Sequence, residues 1–206
     1  MRIGVFGGSF DPVHVGHLIV AECCREQARL DRVLFVPVAT QPHKQDRALA
    51  PPPHRIEMLR LATGGHDGFD ISTIEIDRGG VSYTVETLAA LATAHPADTL
   101  CLILGPDALA GLPTWRDPAR IVAAAELVAV EREGVDDVAA IVAEPRLASL
   151  LGPDRAARIA ATRVRVPAIG VRASDLRTAI AAGRSIRYRT PRAVERYIES
   201  HGLYRA

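Results

Sequence analysis

The feature that most constrains the fold is the stretch IGVFGGSFDPVHVGHL at residues 3–18. The apolar residues before Gly7 and Gly8 favour a short strand, and the breaker-free residues from His17 onward favour a helix. At such a strand-turn-helix junction, free backbone N–H groups and the positive end of the helix dipole face any ligand of the turn. The stretch therefore predicts a site for an anion, with phosphate as the natural ligand.

Two histidines lie at the start of this helix. His14 and His17 are three positions apart, so they share one helix face and meet the same ligand if the helix begins near His14. The alternative is that one caps the helix and the other packs on the surface. The glycines and the strand-helix context favour the phosphate site.

The rest of the chain alternates strand and helix patterns. The apolar run Val33–Val38, after a helix at 17–29, is typical of a strand buried on both faces. Further strands are predicted at Asp70–Ile76, Thr99–Leu104, Glu126–Val130 and Val164–Val166. This order predicts an α/β three-layer sandwich with a Rossmann-like, mainly parallel sheet and a small C-terminal helical part. A length of 206 residues with 48% hydrophobic content favours a single domain over residues 1–206.

Capping residues predict where the later helices begin. A helix is predicted at Arg55–Ala62, and the others follow cap residues of the Ser/Thr type. These caps are Ser82 or Thr84, then Ser174 for a helix ending at Gly183, and Thr190 for a helix ending at Gly202. Residues 135–162 are predicted to be peripheral, with Pro145 and Pro153 interrupting helices.

Charge and cysteine content limit the partners. With 25 Lys plus Arg against 24 Asp plus Glu, the net charge of +1 gives no electrostatic reason to expect nucleic acid. No stretch approaches the ~20 apolar residues of a membrane span. Three cysteines without CxxC spacing fit reduced thiols and a cytoplasmic location. The sequence is compatible with a homo-oligomer but does not determine one.

The string GGSFDPVHVGH at residues 7–17 resembles the GxFDPxHxGH signature of the HxGH nucleotidyltransferase superfamily. More of the chain resembles one branch, the bacterial nicotinate-nucleotide adenylyltransferases. That likeness is carried by PHK at 42–44, SYT at 82–84, GPD at 105–107, Trp115, Arg132 and the terminal GLY at 202–204. The resemblance implies that ATP and nicotinate mononucleotide are joined to give nicotinate adenine dinucleotide and pyrophosphate, in NAD biosynthesis.

The resemblance also implies a role for individual residues. His14, His17 and Arg177 would act on the transferring phosphates and are the predicted catalytic residues. The predicted ATP-binding residues are Gly7, Gly8, Ser9, Phe10, His14, His17, Gly105, Asp107, Val171, Ser174 and Arg177. The predicted nicotinate mononucleotide-binding residues are Lys44, Thr84, Trp115 and Arg132. Mg²⁺ is expected to arrive with the ATP phosphates rather than on protein ligands, and Asp11 is expected to brace the loop.

Simpler interpretations remain for several of these residues. Trp115 could be a half-buried core aromatic, Lys44 a solvated lysine, and Asp107 a helix cap. The stretch Arg172-Ala173-Ser174 stands where the family has SST, so two hydroxyls are missing. Arg172 either adds a charge for ATP or closes on the empty site, and ATP affinity after Arg172→Ser tests both.

Three alternative functions stay open beside the main one. A related transferase could use pantetheine phosphate, or the acceptor could be nicotinamide mononucleotide. The chain could also be a nucleotide sensor without catalytic activity. Release of pyrophosphate separates these alternatives.

Overall fold

The computed structural model describes residues 1–40 and 49–205, so the predicted ligand-binding residue Lys44 lies outside the described residues. The strands are β1 (Arg2–Gly8), β2 (Arg32–Pro37), β3 (Phe69–Ile71), β4 (Thr99–Leu104), β5 (Glu126–Arg132) and β6 (Val164–Val166). The helices are α1 (Val15–Gln27), α2 (Pro52–Thr63), α3 (Ile74–Arg78), α4 (Thr84–Ala94), α5 (Pro106–Gly111), α6 (Pro118–Ala124), α7 (Val138–Ala143), α8 (Pro145–Leu151), α9 (Pro153–Ala161), α10 (Ala173–Ala181) and α11 (Arg192–Ser200).

The strands form one parallel sheet in the described part of the chain. Their order is β3-β2-β1-β4-β5-β6. Arg2 pairs with Thr99, Cys101 with Glu126, and Val130 with Val164, each in parallel register. The predicted α/β fold with a Rossmann-like parallel sheet is confirmed.

Contacts between residues divide the chain into two compact units. The first unit comprises Met1–Phe6, Val20–Leu34 and Tyr83–Ala168. The second unit comprises Gly7–Ile19, Phe35–Ser82 and Ile169–Ala206. None of the helices among residues 1–40 and 49–205 is long and apolar enough to cross a bilayer.

The first unit packs around the middle of the sheet. Gly4 lies on β1 where a Cβ would stand 2.7 Å from Leu30 Cδ1 and 3.1 Å from Ile103 Cδ1. Contacts that close leave no room for a larger residue, so glycine here permits tight packing against β1.

Residues 135–162 also belong to the core of the first unit, which corrects their predicted peripheral position. Pro145 and Pro153 divide the segment into separate helices, as predicted, and they stand at the first positions of α8 and α9. Proline fits there because the first turn of a helix has no partner for its N–H. The side chains buried by α7, α8 and α9 are Val138, Val142, Leu147, Leu151 and Ile159.

The second unit packs α2 against α11. Met58, Leu59, Val194 and Ile198 of these helices are buried. The strand predicted at Asp70–Ile76 is wrong beyond Ile71, because α3 begins at Ile74.

Three predicted caps are wrong because their hydroxyls have other partners. Ser82 Oγ accepts from the Ala39 N–H, and Thr190 Oγ1 donates to the Val13 carbonyl. Ser174 Oγ donates to Asp175 Oδ1, and Arg172 is the N-cap residue of α10. Thr84 is the first residue of α4, after Tyr83 at the N-cap position. Two of these hydroxyls, Ser82 and Thr190, connect segments that are distant in sequence, which local capping rules do not describe.

Candidate active site

The loop after β1 is shaped by one buried aromatic ring. Phe10 is fully buried with φ of 46°, and its ring centroid lies 5.6 Å from that of Phe35 and 5.1 Å from that of His17. A Cβ on Gly8 would lie 2.9 Å from Phe10 Cζ. Glycine at position 8 therefore makes room for the ring that supports His17.

The two histidines form a stacked pair in the second unit. Their ring centroids are 3.7 Å apart with an interplanar angle of 27°. The backbone N–H of His14 donates to Nδ1 of His17 over 3.2 Å. Because Nδ1 accepts this bond, the proton of neutral His17 lies on Nε2, which is then a hydrogen-bond donor.

Gly16, between the histidines, is also required by space. A Cβ at this position would lie 3.0 Å from His14 Nδ1 and 3.1 Å from His14 Cε1. A Cβ here would force the His14 ring to shift within its stack. This packing gives a physical reason for glycine in the HVGH sequence.

Burial keeps both histidines neutral in this structure. Only 7% of His14 is exposed, and desolvation lowers the pKa of its imidazole to about 4. Desolvation, with a smaller effect of His14, lowers the pKa of His17 to about 3. His14 Nδ1 is buried and has no hydrogen-bond partner among residues 1–40 and 49–205. An anion that arrived here would supply both an acceptor and a reason for protonation.

Arg177 reaches the same loop from α10. Its Nη1 donates to the Asp11 carbonyl and lies 3.7 Å from Asp11 Oδ2. Its side chain is 20% exposed, so a guanidinium group is held beside the loop and remains accessible. The structure thus brings the predicted catalytic residues His14, His17 and Arg177 into one compact unit.

The segment before α10 approaches the histidine helix. The Val171 carbonyl would lie 3.8 Å from a Cβ on Gly16, which places this backbone beside the start of α1. Arg172 and Ser174 are exposed. The predicted ATP-binding residues Gly7, Gly8, Ser9, Phe10, His14, His17, Val171, Ser174 and Arg177 all lie in the second unit.

Apart from Lys44, which lies outside the described residues, the other predicted site residues lie in the first unit. Gly105 is the N-cap residue of α5, and Asp107 is exposed in its first turn. Arg132 makes a two-pronged ion pair with Asp136, with Nε–Oδ2 and Nη2–Oδ1 distances of 2.7 and 2.8 Å. The hydrogen bond to Asp136 raises the pKa of Arg132, with a smaller contribution from Asp107. Arg132 is thus already paired, and a ligand carboxylate would share it with Asp136.

Trp115 and Thr84 are linked through a neighbouring arginine. Arg116 places its Cζ 4.5 Å from the centroid of the Tyr83 ring, and its Nη1 donates to Glu86 Oε1 over 3.0 Å. Tyr83 and Glu86 flank Thr84 at the start of α4, so Arg116 ties the Trp115 turn to that helix end. Trp115 and Thr84 are half-buried.

Two residues that support the loop were not among the predicted site residues. Arg55 is 1% exposed, and it donates from Nε to the Ala50 carbonyl and from Nη1 to the Ser9 carbonyl. Tyr204 donates its hydroxyl to Asp11 Oδ1 over 2.6 Å. The terminal GLY was visible in the sequence, but only the three-dimensional contact reveals what its tyrosine touches.

Comparisons with known proteins show which family the chain belongs to. A family model described as cytidylyltransferase-like matches residues 5–179. The probable nicotinate-nucleotide adenylyltransferase of Roseiflexus sp. (strain RS-1) is 47% identical over 205 residues, covering 98% of each chain. A probable nicotinate-nucleotide adenylyltransferase of Thermus thermophilus is 43% identical and covers 100% of each chain.

A solved structure shares the fold at low sequence identity. The Plasmodium falciparum nicotinic acid mononucleotide adenylyltransferase complexed with NaAD has a TM-score of 0.73 and 16% identity, covering 98% of this chain and 97% of that chain. The family model spans most of this chain, and the curated relatives match it over nearly their whole length. The chain therefore belongs to the cytidylyltransferase-like family and, within it, to the nicotinate-nucleotide adenylyltransferases.

Proposed function

We propose that this protein transfers the adenylyl group of ATP to nicotinate mononucleotide, giving nicotinate adenine dinucleotide and pyrophosphate. The 5'-phosphate oxygen of the mononucleotide forms a bond to the α-phosphorus of ATP. The bond from that phosphorus to the β-phosphate bridging oxygen breaks, and pyrophosphate leaves. The reaction needs no covalent enzyme intermediate, so alignment and charge neutralisation account for catalysis.

The observation that carries the proposal is the buried, stacked histidine pair with its unsatisfied nitrogen. A buried polar atom without a partner costs roughly 1–3 kcal/mol, so it calls for an explanation such as a ligand. His14 Nδ1 is such an atom within the described residues. It lies at the start of α1, where phosphate binding is favoured by helix N–H groups.

The same pair suits the charge that develops during transfer. Both reactants are anions, and they repel each other unless the protein supplies donors and positive charge. His17 would donate from Nε2, and the adjacent phosphates would raise the pKa values of both histidines from about 4 and about 3. Arg177 brings a permanent charge, which we assign to the leaving pyrophosphate together with Ser174.

The acceptor would be bound by residues of the first unit and by Lys44. We assign Thr84 to the nicotinate carboxylate, Trp115 to stacking on the pyridine ring, and Lys44 to the mononucleotide phosphate. Arg132, already paired with Asp136, would contribute charge on the acceptor side. Asp107 would hold a ribose hydroxyl, and the backbone at Gly105 and Val171 would frame the adenine.

Mg²⁺ would enter with the phosphates of ATP. This ion favours phosphate and water oxygens over a cage made only of protein ligands. Among residues 1–40 and 49–205, no group of three or more His, Cys, Asp or Glu side chains could hold a metal ion. In the reaction it would neutralise charge on the phosphates, while His14, His17 and Arg177 orient them.

A coupled pyrophosphate-release assay tests the proposal. The purified protein is given ATP and Mg²⁺ with nicotinate mononucleotide, nicotinamide mononucleotide or phosphopantetheine in parallel, and His14→Ala serves as the inactive control. We expect the highest kcat/KM with nicotinate mononucleotide. A preference for either other acceptor, or ATP binding without pyrophosphate release, would overturn the assignment.

A further inference from the structure

The C-terminal tyrosine lies against the loop that carries the histidines. Tyr204 donates its hydroxyl to Asp11 Oδ1 over 2.6 Å, although the two residues are 193 positions apart. We infer that Tyr204 is a positioning residue, which orients Arg177 through the carboxylate of Asp11. The kinetic part of this inference rests on the proposed function.

Asp11 is a buried carboxylate whose first oxygen is held firmly. Only 1% of the residue is exposed, and Oδ1 accepts from the Ala50 N–H at 3.2 Å and from the Tyr204 hydroxyl at 2.6 Å. A buried carboxylate needs such donors because it has lost its hydration. The hydroxyl bond is the shorter of the two, as expected for a charge-assisted bond. The hydrogen bond from Tyr204 therefore helps to fix the orientation of the Asp11 carboxylate plane.

The second oxygen of the carboxylate faces Arg177. Arg177 Nη1 lies 3.7 Å from Asp11 Oδ2 and donates to the Asp11 backbone carbonyl. Oδ2 is buried and accepts no hydrogen bond from the described residues. The donors to Oδ1 limit where Oδ2 can lie, and Oδ2 attracts the guanidinium in addition to the hydrogen bond from Nη1 to the Asp11 carbonyl. A rotation of the Asp11 side chain would weaken the attraction of Oδ2 for Arg177, while the hydrogen bond from Nη1 to the Asp11 carbonyl would stay.

The backbone of Tyr204 is positioned by the turn that follows α11. The chain turns back after that helix, with φ of 60° at Gly202 and 62° at Tyr204. The Leu203 N–H donates to the Ile198 carbonyl over 3.1 Å. At the other end of α11, Thr190 Oγ1 donates to the Val13 carbonyl over 2.9 Å. The segments that flank α11 thus contact residues 9–14, the histidine loop between β1 and α1, and Tyr204 contacts the aspartate that lies beside Arg177.

Tyr204→Phe removes this one hydroxyl and keeps the ring. Steady-state rates are measured where circular dichroism shows each variant to be folded. We expect kcat to fall about 5- to 10-fold, with the KM for nicotinate mononucleotide changed less than about 2-fold. The matched control is Tyr188→Phe at an 87% exposed tyrosine, and it should keep wild-type rates. Equal rates for the two variants would overturn the inference.

A double-mutant cycle separates positioning from a general structural effect. Lysine cannot reproduce the forked guanidinium, so Arg177→Lys already loses the geometry that Tyr204 maintains. In the Arg177→Lys protein, we expect Tyr204→Phe to lower kcat by less than about 2-fold. If Tyr204→Phe lowered kcat by the same factor in the wild-type and Arg177→Lys proteins, Tyr204 would not act through Arg177.

A binding experiment keeps this test independent of the acceptor. ATP affinity, measured by calorimetry without nicotinate mononucleotide, should fall for Tyr204→Phe and stay unchanged for Tyr188→Phe. If wild-type protein binds ATP but releases no pyrophosphate, the proposed function fails, while a weaker ATP affinity of Tyr204→Phe still supports the positioning role. Equal ATP affinity of the two variants counts against it.

Discussion

The histidine loop of the second unit and the residues of the first unit that we assign to the acceptor are built in different ways. In the loop, His14 is 7% exposed and Asp11 is 1% exposed, and Arg55 of α2, which supports the loop, is also 1% exposed. On the acceptor side, the Arg116 side chain is 53% exposed and that of Arg132 is 38% exposed. Buried groups held by hydrogen bonds are preorganised to stabilise developing charge. Exposed ion pairs contribute little to stability, and their side chains can change conformation easily. We therefore expect the catalytic step to depend on the second unit and acceptor affinity on the first.

The largest effect should follow the loss of a histidine donor. His17→Asn keeps a polar group near the His14 N–H and loses the Nε2 donor, so we expect kcat to fall about 100- to 1000-fold. The control is His95→Asn in the first unit, whose kcat should stay within about 2-fold of the wild-type value. Steady-state pyrophosphate release measures both. A small loss for His17→Asn would break the assignment of catalysis to the second unit.

Acid should destabilise the second unit first. An unfolded histidine has a pKa of ~6.5, whereas His14 and His17 have pKa values of about 4 and about 3. As pH falls below ~6.5 the unfolded state binds more protons, so the free energy of unfolding should decrease by about 1.4 kcal/mol per pH unit for each histidine. The decrease should level off below the folded pKa values.

Urea unfolding at pH 7 and pH 5 measures this decrease, with the double variant His14→Asn/His17→Asn as control. In the double variant, the free energy of unfolding should depend much less on pH between pH 7 and pH 5. In the first unit, the hydrogen bond from Arg132 lowers the pKa of Asp136. The stabilisation by Asp136 is fully present above ~4, its unfolded pKa, and is lost only as the pH falls below that value. It therefore adds nothing to the decrease in the free energy of unfolding between pH 7 and pH 5. An unchanged slope in the double variant would contradict the histidine origin.

A smaller effect is expected from crowding the histidine stack. In Gly16→Ala, the new Cβ would stand 3.0 Å from His14 Nδ1, so the ring must move. We expect kcat to fall about 10-fold, since misplacement of a catalytic group is costly. Gly170→Ala is the matched control, because a Cβ there meets nothing within 4 Å. If the two alanine variants have the same kcat, the stacked geometry is not needed for transfer.

The smallest effect should come from the acceptor side. Arg116→Ala removes the contacts to Tyr83 and Glu86 that tie the Trp115 turn to α4. We expect the KM for nicotinate mononucleotide to rise about 3-fold with kcat little changed, because exposed pairs contribute weakly. Arg120→Ala, at a 72% exposed side chain, is the control. If kcat fell by a larger factor than KM rose, the assignment of acceptor affinity to the first unit and catalysis to the second would be wrong.

The fold was predictable where hydrophobic patterns were continuous. The strand at Thr99–Leu104 was predicted with the observed bounds, because a buried parallel strand is a nearly continuous apolar run. The strand at Val164–Val166 also has its predicted bounds, although exposed Arg165 stands between its two buried valines. The segment Asp70–Ile76 misled the prediction. Its apolar residues suit either structure, and β3 pairing stops at Ile71 before α3 begins.

The candidate site was predictable where its residues are contiguous. The string at residues 7–17 contains both histidines, and it also contains Gly8 and Gly16, which leave room for the rings of Phe10 and His14. The supports come from Ala50, Arg55, Arg177 and Tyr204, far along the chain. No local pattern indicates that a tyrosine at position 204 will donate to Asp11. Likewise, the two-pronged pairing of Arg132 with Asp136 depends on the backbone turn after β5.

The distant supports of Asp11 have a consequence for protein design. A designer who transplanted residues 7–17 onto another scaffold would carry over the signature without the groups that hold its aspartate. Donors equivalent to the Ala50 N–H and the Tyr204 hydroxyl, and a cation placed like Arg177, would have to be built in as well. The transferable unit is therefore a three-dimensional arrangement drawn from four separate segments, and the eleven-letter motif is its visible part.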